Sequence, residues 1–341
     1  TSLVHSLPGV KNELKGEAED RINIAVLGMR GENVEGGGLL ADTIIVVSIK
    51  PKENKLSMIS VPRDLFVTVP GTSDKQKINA VHHYGEQKSK GQGLEDMKTV
   101  LSEVLGIDVQ YAASINFEGF KQFVNAIGGV EITLDKAFEE PMQFQEEKVC
   151  DPNVFTKPTG NYEYKYYTRQ DGTKYIAKTY PLCLNPNTEC GGDFKLPAGK
   201  QTLNGDQALC FVRSRKTSSD FERAKRQQLL IQNIKDQLLS AGTLTDFSKL
   251  SGILDSLGNN VRSDLALWEM SRFYELYSQM NNPSIAQRVL ENSEEGLLYN
   301  PTDSDPAVGY ILLPIGNNYD RIHAMAKDIF TLPAQSDIKP K

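Results

Sequence analysis

Residues 21–49 read RINIAVLGMRGENVEGGGLLADTIIVVSI. Two short apolar runs, at 21–29 and 43–49, flank a stretch with three consecutive glycines at 36–38. Both runs are rich in Ile and Val and bounded by glycine or polar residues, as buried β-strands are. The first is expected to end at Gly28, with RGENVEGGGLLAD as a glycine-rich loop. That loop lacks the lysine and spacing of a phosphate loop, so its glycines are read as backbone freedom. KPKEN at 50–54 then turns the chain into a third run, KLSMISVP at 55–62, so 43–61 predicts a β-hairpin.

Helical and extended patterns alternate further along. LEDMKTVLSEVL at 94–105 has helical spacing, VQYAASI at 109–115 reads as a strand, and Asn116 is placed to cap a helix FEGFKQFVNAI. Gly128 and Gly129 stop that helix before a strand VEITL. LPAGKQTLNGDQALCFVRSR, from 196, contains a short helix starting at Asn204, and FERAKRQQLLIQNIKDQLL predicts a longer one capped by Asp220. Two or three helices over 245–280, a strand GYILLPI and a helix over 318–330 close the chain. This pattern predicts an α/β or α+β layered fold, a central mixed sheet flanked by helices. Residues 1–20 read as a loose tail, 21–136 and 194–341 as the core. Residues 137–193 read as an insertion: NYEYKYYTRQDGTKYIAKTYP alternates around an Asp-Gly turn, as a surface β-hairpin does.

Composition limits the function. The 341 residues are 39% hydrophobic and 24% charged, with a net charge of −6. A general affinity for nucleic acid is excluded by that charge and by the lack of basic–aromatic interleaving. No run of 18 apolar residues occurs to span a membrane. The chain starts at Thr1, as expected of a trimmed form without its leader or anchor. Cys150, Cys183, Cys190 and Cys210 lack zinc-site spacing. One disulfide among the first three is expected, with Cys210 free and buried in a core segment.

Against the acidic whole, RSRKTSSDFERAKRQQ at 213–228 holds six Lys or Arg and two acids. The apolar stripe Leu230, Ile231, Ile234 and Leu238, extended backwards, reaches Gln227 and Arg223, so both continue the inward face of the helix. An inward arginine needs an anion: a ligand near the helix N-terminus, or an internal salt bridge to Asp220, Asp42 or Asp64. Asp42 precedes the second strand, and Arg63 and Asp64 follow the third, at strand ends where layered folds bind ligands. Lys77 in KINA is a further phosphate candidate, or an ordinary loop lysine. His82 and His83 are adjacent and therefore point apart, which argues against a metal pair. Several guanidiniums with a few carboxylates suit a pyrophosphate, the carboxylates holding Mg²⁺ or orienting a nucleophile.

NIAVLG, ADTIIVVSI, SVPRDLFVTVPG, KINAVHHYG, FEGFKQFVNAIGGVEI, LPAGKQTLNGDQAL and RSRKTSSDFERAKRQQ occur in that order. Together they resemble the LytR-CpsA-Psr family of cell-wall glycopolymer ligases, over 21–136 and 194–330. The resemblance implies an extracytoplasmic phosphotransferase, tethered by an N-terminal membrane helix. It implies transfer of a glycopolymer from a polyprenyl-pyrophosphate carrier to peptidoglycan. The family's pyrophosphate-binding arginines fall on Arg63, Arg213, Arg215 and Arg223, with Gln227 beside them. Its metal-binding aspartate falls on Asp42 and its helix-capping aspartate on Asp220. Two departures stand out: Arg30 replaces a common aspartate, and Leu40 an arginine. Either Glu32 or Glu35 supplies the second carboxylate for Mg²⁺, or Arg30 takes the metal's place. A polyprenyl-pyrophosphate hydrolase and a non-catalytic polyprenyl-phosphate binder are the alternatives to a ligase.

Overall fold

The computed structural model describes residues 13–32, 38–140, 147–150, 157–184, 194–214, 220–240, 247–302 and 309–335. The opening runs form β1 (Ile22–Gly31), β2 (Gly38–Lys50) and β3 (Lys55–Ser60), an antiparallel meander. β1 and β2 extend into what the sequence presents as loop, because their pairing continues through irregular register to Gly31 opposite Gly38. Gly31, at φ +98°, lies where a Cβ would meet the Asn116 side chain at 3.0 Å, so the close approach of neighbouring strands requires glycine there.

A two-stranded ribbon, β4 (Phe66–Thr68) with β5 (Lys75–Lys77), leads to α1 (Val81–Lys88) and α2 (Gln92–Leu105). α2 buries Leu94, Met97, Leu101 and Val104 along one stripe and stops at left-handed Gly106. β6 (Tyr111–Asn116) runs into α3 (Phe117–Ala126), whose first turn is capped by the Asn116 side chain accepting from the Gly119 N–H at 2.8 Å. β7 (Val130–Leu134) pairs later with β13 (Gly199–Leu203).

Between them lies the inserted segment: β8 (Phe138–Glu140), β9 (Lys148–Val149), a long hairpin of β10 (Lys157–Thr168) and β11 (Lys174–Leu184), and β12 (Phe194–Leu196), which pairs back onto β8. Cys150 and Cys183 form a disulfide there. Cys210 is also disulfide-bonded, and is not the free thiol expected from its apolar neighbours. Burial of a small side chain is equally compatible with a half-cystine, so composition did not separate the two.

α4 (Gly205–Arg213) starts at a capping box between Asn204 and Gln207. α5 (Asp220–Ser240), α6 (Phe247–Leu257), β14 (Val261–Ser263) and α7 (Leu267–Ser278) follow. β15 (Ser284–Val289), β16 (Glu291–Asn292), β17 (Leu297–Tyr299), β18 (Leu313–Pro314) and α8 (Asp320–Asp328) complete the order. The main sheet has the strand order β14-β6-β1-β2-β3-β15 and is mixed: β1/β6 and β3/β15 are parallel, the other pairs antiparallel. The fold is thus α+β, a central mixed sheet flanked by helices, as expected. Sequence reading missed α1 and β15, and the strand expected at 309–315 shrinks to β18.

The two faces of the sheet differ. Ala25, Leu27, Ile44, Val46 and Ile59 are fully buried against α2 and α8 in one continuous core. A second core joins α3, α4 and α5 through Val124, Phe211, Leu230 and Leu238, with no residue of the six-stranded sheet in it. On the sheet face turned that way, Ile45 and Met58 are buried, but Val26, Val47, Ala113 and Ile115 are only half-buried.

Candidate active site

The register of β1 against β2 explains the first site residue. Gly28 pairs with Thr43 and Met29 with Ala41, so Asp42 is the extra residue of a β-bulge. A bulge breaks the in–out alternation and re-aims a side chain. As a result the consecutive residues Asp42 and Thr43 line the same cavity. Arg63 follows β3 directly, and its Nη1 lies 3.0 Å from Asp42 Oδ1. Its Nε lies 3.5 Å from Asp64 Oδ2, and Lys77 Nζ lies 3.0 Å from Asp64 Oδ1. Asp64 is buried between the two cations. Asp64 thus orients Arg63, and Lys77 holds Asp64.

Helix α5 supplies the opposite wall. The Gln227 side-chain amide donates to Thr43 Oγ1 at 2.9 Å, and that of Gln228 donates to Ser60 Oγ at 2.9 Å and to the Arg288 carbonyl at 3.1 Å. These bonds fix the helix across the ends of β2 and β3, and Arg223, one turn before Gln227, faces the same space. Arg226 has a different duty. Its Nε donates to the Phe211 carbonyl at 3.1 Å and its Nη2 to that of Ser214, which satisfies the last carbonyls of α4.

The resulting cavity, about 210 Å³, is lined by Asp42, Thr43, Ser60, Arg63, Arg223, Gln227 and Glu291 over a floor of Ile44, Val61 and Leu312. Glu291 was not singled out from sequence. It stands just beyond β15, whose end lies beside that of β3, so its signal was the strand that sequence reading missed. Burial pushes its carboxyl pKa up, a hydrogen bond from Ser293 opposes this, and the charge of Glu295 adds to the rise. Its Oε1 has no hydrogen-bond partner among the described residues. Arg30 belongs to the same electrostatic group. Burial lowers its pKa, Asp42 opposes that shift and Arg63 reinforces it.

The other sequence candidates divide. The Arg213 guanidinium lies 4.4 Å from the centre of the Phe117 ring and is not among the residues lining the cavity. Arg215, Glu35 and the side chain of Asp220 lie outside the described residues. Glu32 is turned away from Asp42. Its carboxylate is 4.0 Å from Arg262, and with His82, Asn116 and Asn260 it lines a separate cavity of about 290 Å³ on the other face of the sheet. The reason is that Gly31 and Arg262 both belong to that face. His82 is 1% exposed, and its Nδ1 is 3.1 Å from the Leu39 carbonyl. Burial and the charges of Arg262 and His83 lower its pKa, against Glu86 and the Leu39 bond.

Chemically, a strand-end cavity with guanidiniums on two sides binds an anion through several oxygens. Carboxylates among them add a proton acceptor or a cation ligand. This is a layered α+β protein with an arginine-lined cavity where its strands end.

The chain belongs to the LytR_cpsA_psr family, whose model matches residues 5–304. It is 29% identical over 273 residues to the polyisoprenyl-teichoic acid–peptidoglycan teichoic acid transferase TagU of Oceanobacillus iheyensis, covering 80% of this chain and 67% of the relative. It is 25% identical over 294 residues to the like-named transferase TagV of Bacillus subtilis, covering 84% and 61%. The chain therefore spans about two thirds of the length of these relatives. Among solved structures, TagT bound to LIIa-WTA matches with a TM-score of 0.60 at 20% identity, over 95% of both chains. B. subtilis TagV matches with a TM-score of 0.58 at 20% identity, over 91% of this chain and 97% of the other. At these identities the structural matches carry the fold.

Proposed function

We propose that this protein is a phosphotransferase that moves a glycopolymer from a polyprenyl-pyrophosphate carrier to peptidoglycan. The observation that carries the reading is the Arg63–Asp42 pair at 3.0 Å, opening on a cavity shared with Arg223 and Gln227. Family membership and the names of the relatives support it.

In this reading Arg63 and Arg223 hold the non-bridging oxygens of the pyrophosphate from two sides, where charge develops in the transition state. The acceptor hydroxyl attacks the phosphorus that bears the glycopolymer. A new P–O bond forms, the bridging P–O bond breaks, and polyprenyl phosphate leaves. Glu291 takes the hydroxyl proton, its raised pKa making it a better base near neutral pH than an ordinary carboxylate. Asp64 and Lys77 position Arg63, and Arg30 contributes positive charge beside Asp42.

The residues present fit a Mg²⁺ held largely by the substrate. Asp42 and Glu291 are two carboxyl groups on one cavity, and Mg²⁺ is usually bound by one or two carboxylates together with substrate phosphates. Asp42 would hold it together with the substrate's phosphate oxygens, with Glu291 kept as the base and the expected Glu32 on the other face of the sheet. When bound, the cation stabilises the leaving phosphate oxygen as a Lewis acid.

The half-buried face of the sheet, at Val26, Val47 and Ile115, supports a berth for the lipid chain between sheet and helices. The Cys150–Cys183 disulfide supports an oxidising, extracytoplasmic location. The reading includes a membrane anchor N-terminal to the catalytic core. No helix among the described residues is long and apolar enough to cross a membrane.

The test is a transfer assay with a short polyprenyl-pyrophosphate disaccharide and soluble peptidoglycan oligomers. Arg63→Ala and Arg223→Ala should each lower transfer by about 10²–10³-fold. Hydrolysis without transfer would make water the acceptor and overturn the ligase reading.

A further inference from the structure

The hairpin of β10 and β11 contributes no residue to the lining of the active-site cavity. Among the described residues, beyond a two-residue contact with β9 at Lys148–Val149, its strands pair with each other alone. Ten large hydrophobic side chains are exposed among the described residues, and six of them lie on this hairpin: Tyr162, Tyr164, Tyr166, Tyr167, Tyr175 and Ile176, at 42–57% exposure. A bare two-stranded ribbon is marginal by itself, and such a concentration of exposed rings marks an interaction surface.

Charge narrows the partner. Residues 157–184 contain five cations (Lys157, Lys165, Arg169, Lys174, Lys178) and two acids (Glu163, Asp171), so 5 − 2 = +3, on a chain of net −6. The other acids of the insertion lie in the flanking sequence, at Glu139, Glu140, Glu146, Glu147, Asp151, Glu189 and Asp193. Both Asp171 contacts are spent on Thr173 within the turn. An arm of this kind attracts a polyanion.

The distribution of rings narrows it further. Directly paired residues share a face, so Tyr162, Tyr164, Tyr166 and Ile176 lie on one side with Lys174. Tyr167, Tyr175 and Tyr180 lie on the other with Lys165 and Lys178. A bilayer surface selects one apolar face with the charges segregated from it. Here both faces mix rings and cations. Tyrosine offers a flat apolar face for the C–H groups of a sugar or polyol and a hydroxyl for its oxygens. Tyr162 and Tyr164 set their ring centres 6.5 Å apart, a short row along the arm.

The arm is also rooted beside the site. Phe138 of β8 and Phe194 of β12, where the insertion leaves and rejoins the core, pack edge to face, and Phe138 lies 5.2 Å below the Arg226 guanidinium. Arg226 shares its helical turn with Arg223 and Gln227, which line the cavity.

We propose that the β10–β11 hairpin is a docking arm for an anionic glycopolymer, its tyrosines stacking on sugar or polyol units while its lysines and Arg169 meet the polymer's phosphates or carboxylates. The inference rests on the transfer reading above, in that the polymer so held is the chain attached to the pyrophosphate.

The experiment measures binding of the protein to a purified polyol-phosphate wall polymer by calorimetry. Its comparison partners are an uncharged glycan of similar length and phosphatidylglycerol vesicles. The variants are Y162S/Y164S/Y166S and K165E/K174E/K178E, all on exposed positions, with thermal midpoints checked against the parent. Each triple variant should bind the polymer about tenfold more weakly or worse, and added salt should weaken the parent. Transfer of a disaccharide donor lacking the polymer should be unchanged in both. Equal polymer binding by variants and parent would overturn the proposal, as would parent binding to vesicles or uncharged glycan as tight as to the polymer. Arg63→Ala separates this from the transfer reading: it should lower disaccharide transfer by about 10²–10³-fold and leave polymer binding intact.

Discussion

At the scale of single residues, the site turns on where charge is left exposed to a ligand. Glu291 carries the sharpest consequence. A carboxyl whose folded pKa is raised binds its proton more tightly in the native state, so stability falls as pH rises from about 4.5 through the folded value. Glu291→Gln should therefore raise the thermal midpoint at neutral pH while leaving that at pH 4 nearly unchanged. It should also lower transfer by about 10²–10⁴-fold, with pyrophosphate binding retained in calorimetry. A variant with full activity would remove Glu291 from the proton path. Asp42, Arg63 and Arg223 were legible in the sequence because two of them abut apolar strands and the third sits in phase with a helix stripe. Glu291 was not, because the strand before it was not. Lys77 in KINA read as a phosphate candidate or an ordinary loop lysine, and only the folded chain shows Asp64 standing between it and Arg63.

At the scale of elements, α5 is held to the sheet by side-chain amides as much as by apolar contact. Gln228 is 1% exposed and bonds both Ser60 and the Arg288 carbonyl. Gln228→Leu keeps the volume roughly but leaves two buried groups without a donor, at a cost of about 1–3 kcal/mol each. Urea unfolding should report that loss, and the tilt of α5 should reduce affinity for pyrophosphate along with it. An unchanged midpoint would mean that water replaces the amide. The capped elements were readable: Asn116 and Asn204 act at the helix N-termini as their chemistry dictates. The missed ones lack such marks. α1 has no side-chain cap and a glycine inside it, and β15 reads SIAQRV, where polar side chains tolerated on an edge strand obscure the pattern. The bulge at Asp42 was invisible because it depends on the register of two strands, not on either sequence.

At the scale of the whole molecule, the two faces of the sheet are covered unequally. Leu27, Ile44 and Ile59 lie in a finished core, whereas Val26, Val47 and Ile115 keep partial contact with solvent. Apolar surface left open in this way is stabilised when a ligand covers it, by about 0.8 kcal/mol for each CH₂ buried. A short-chain polyprenyl phosphate at 100 times its dissociation constant should stabilise the native state by about 2.7 kcal/mol, raising the thermal midpoint by several degrees, and at that same ligand concentration each added isoprene unit should tighten binding and raise the midpoint further. A midpoint indifferent to chain length would place the lipid elsewhere. If the lipid does lie there, the substrate is the missing layer of the protein's own interior. The resting enzyme is then an incomplete fold that each donor completes, and every release of product strips part of the core away.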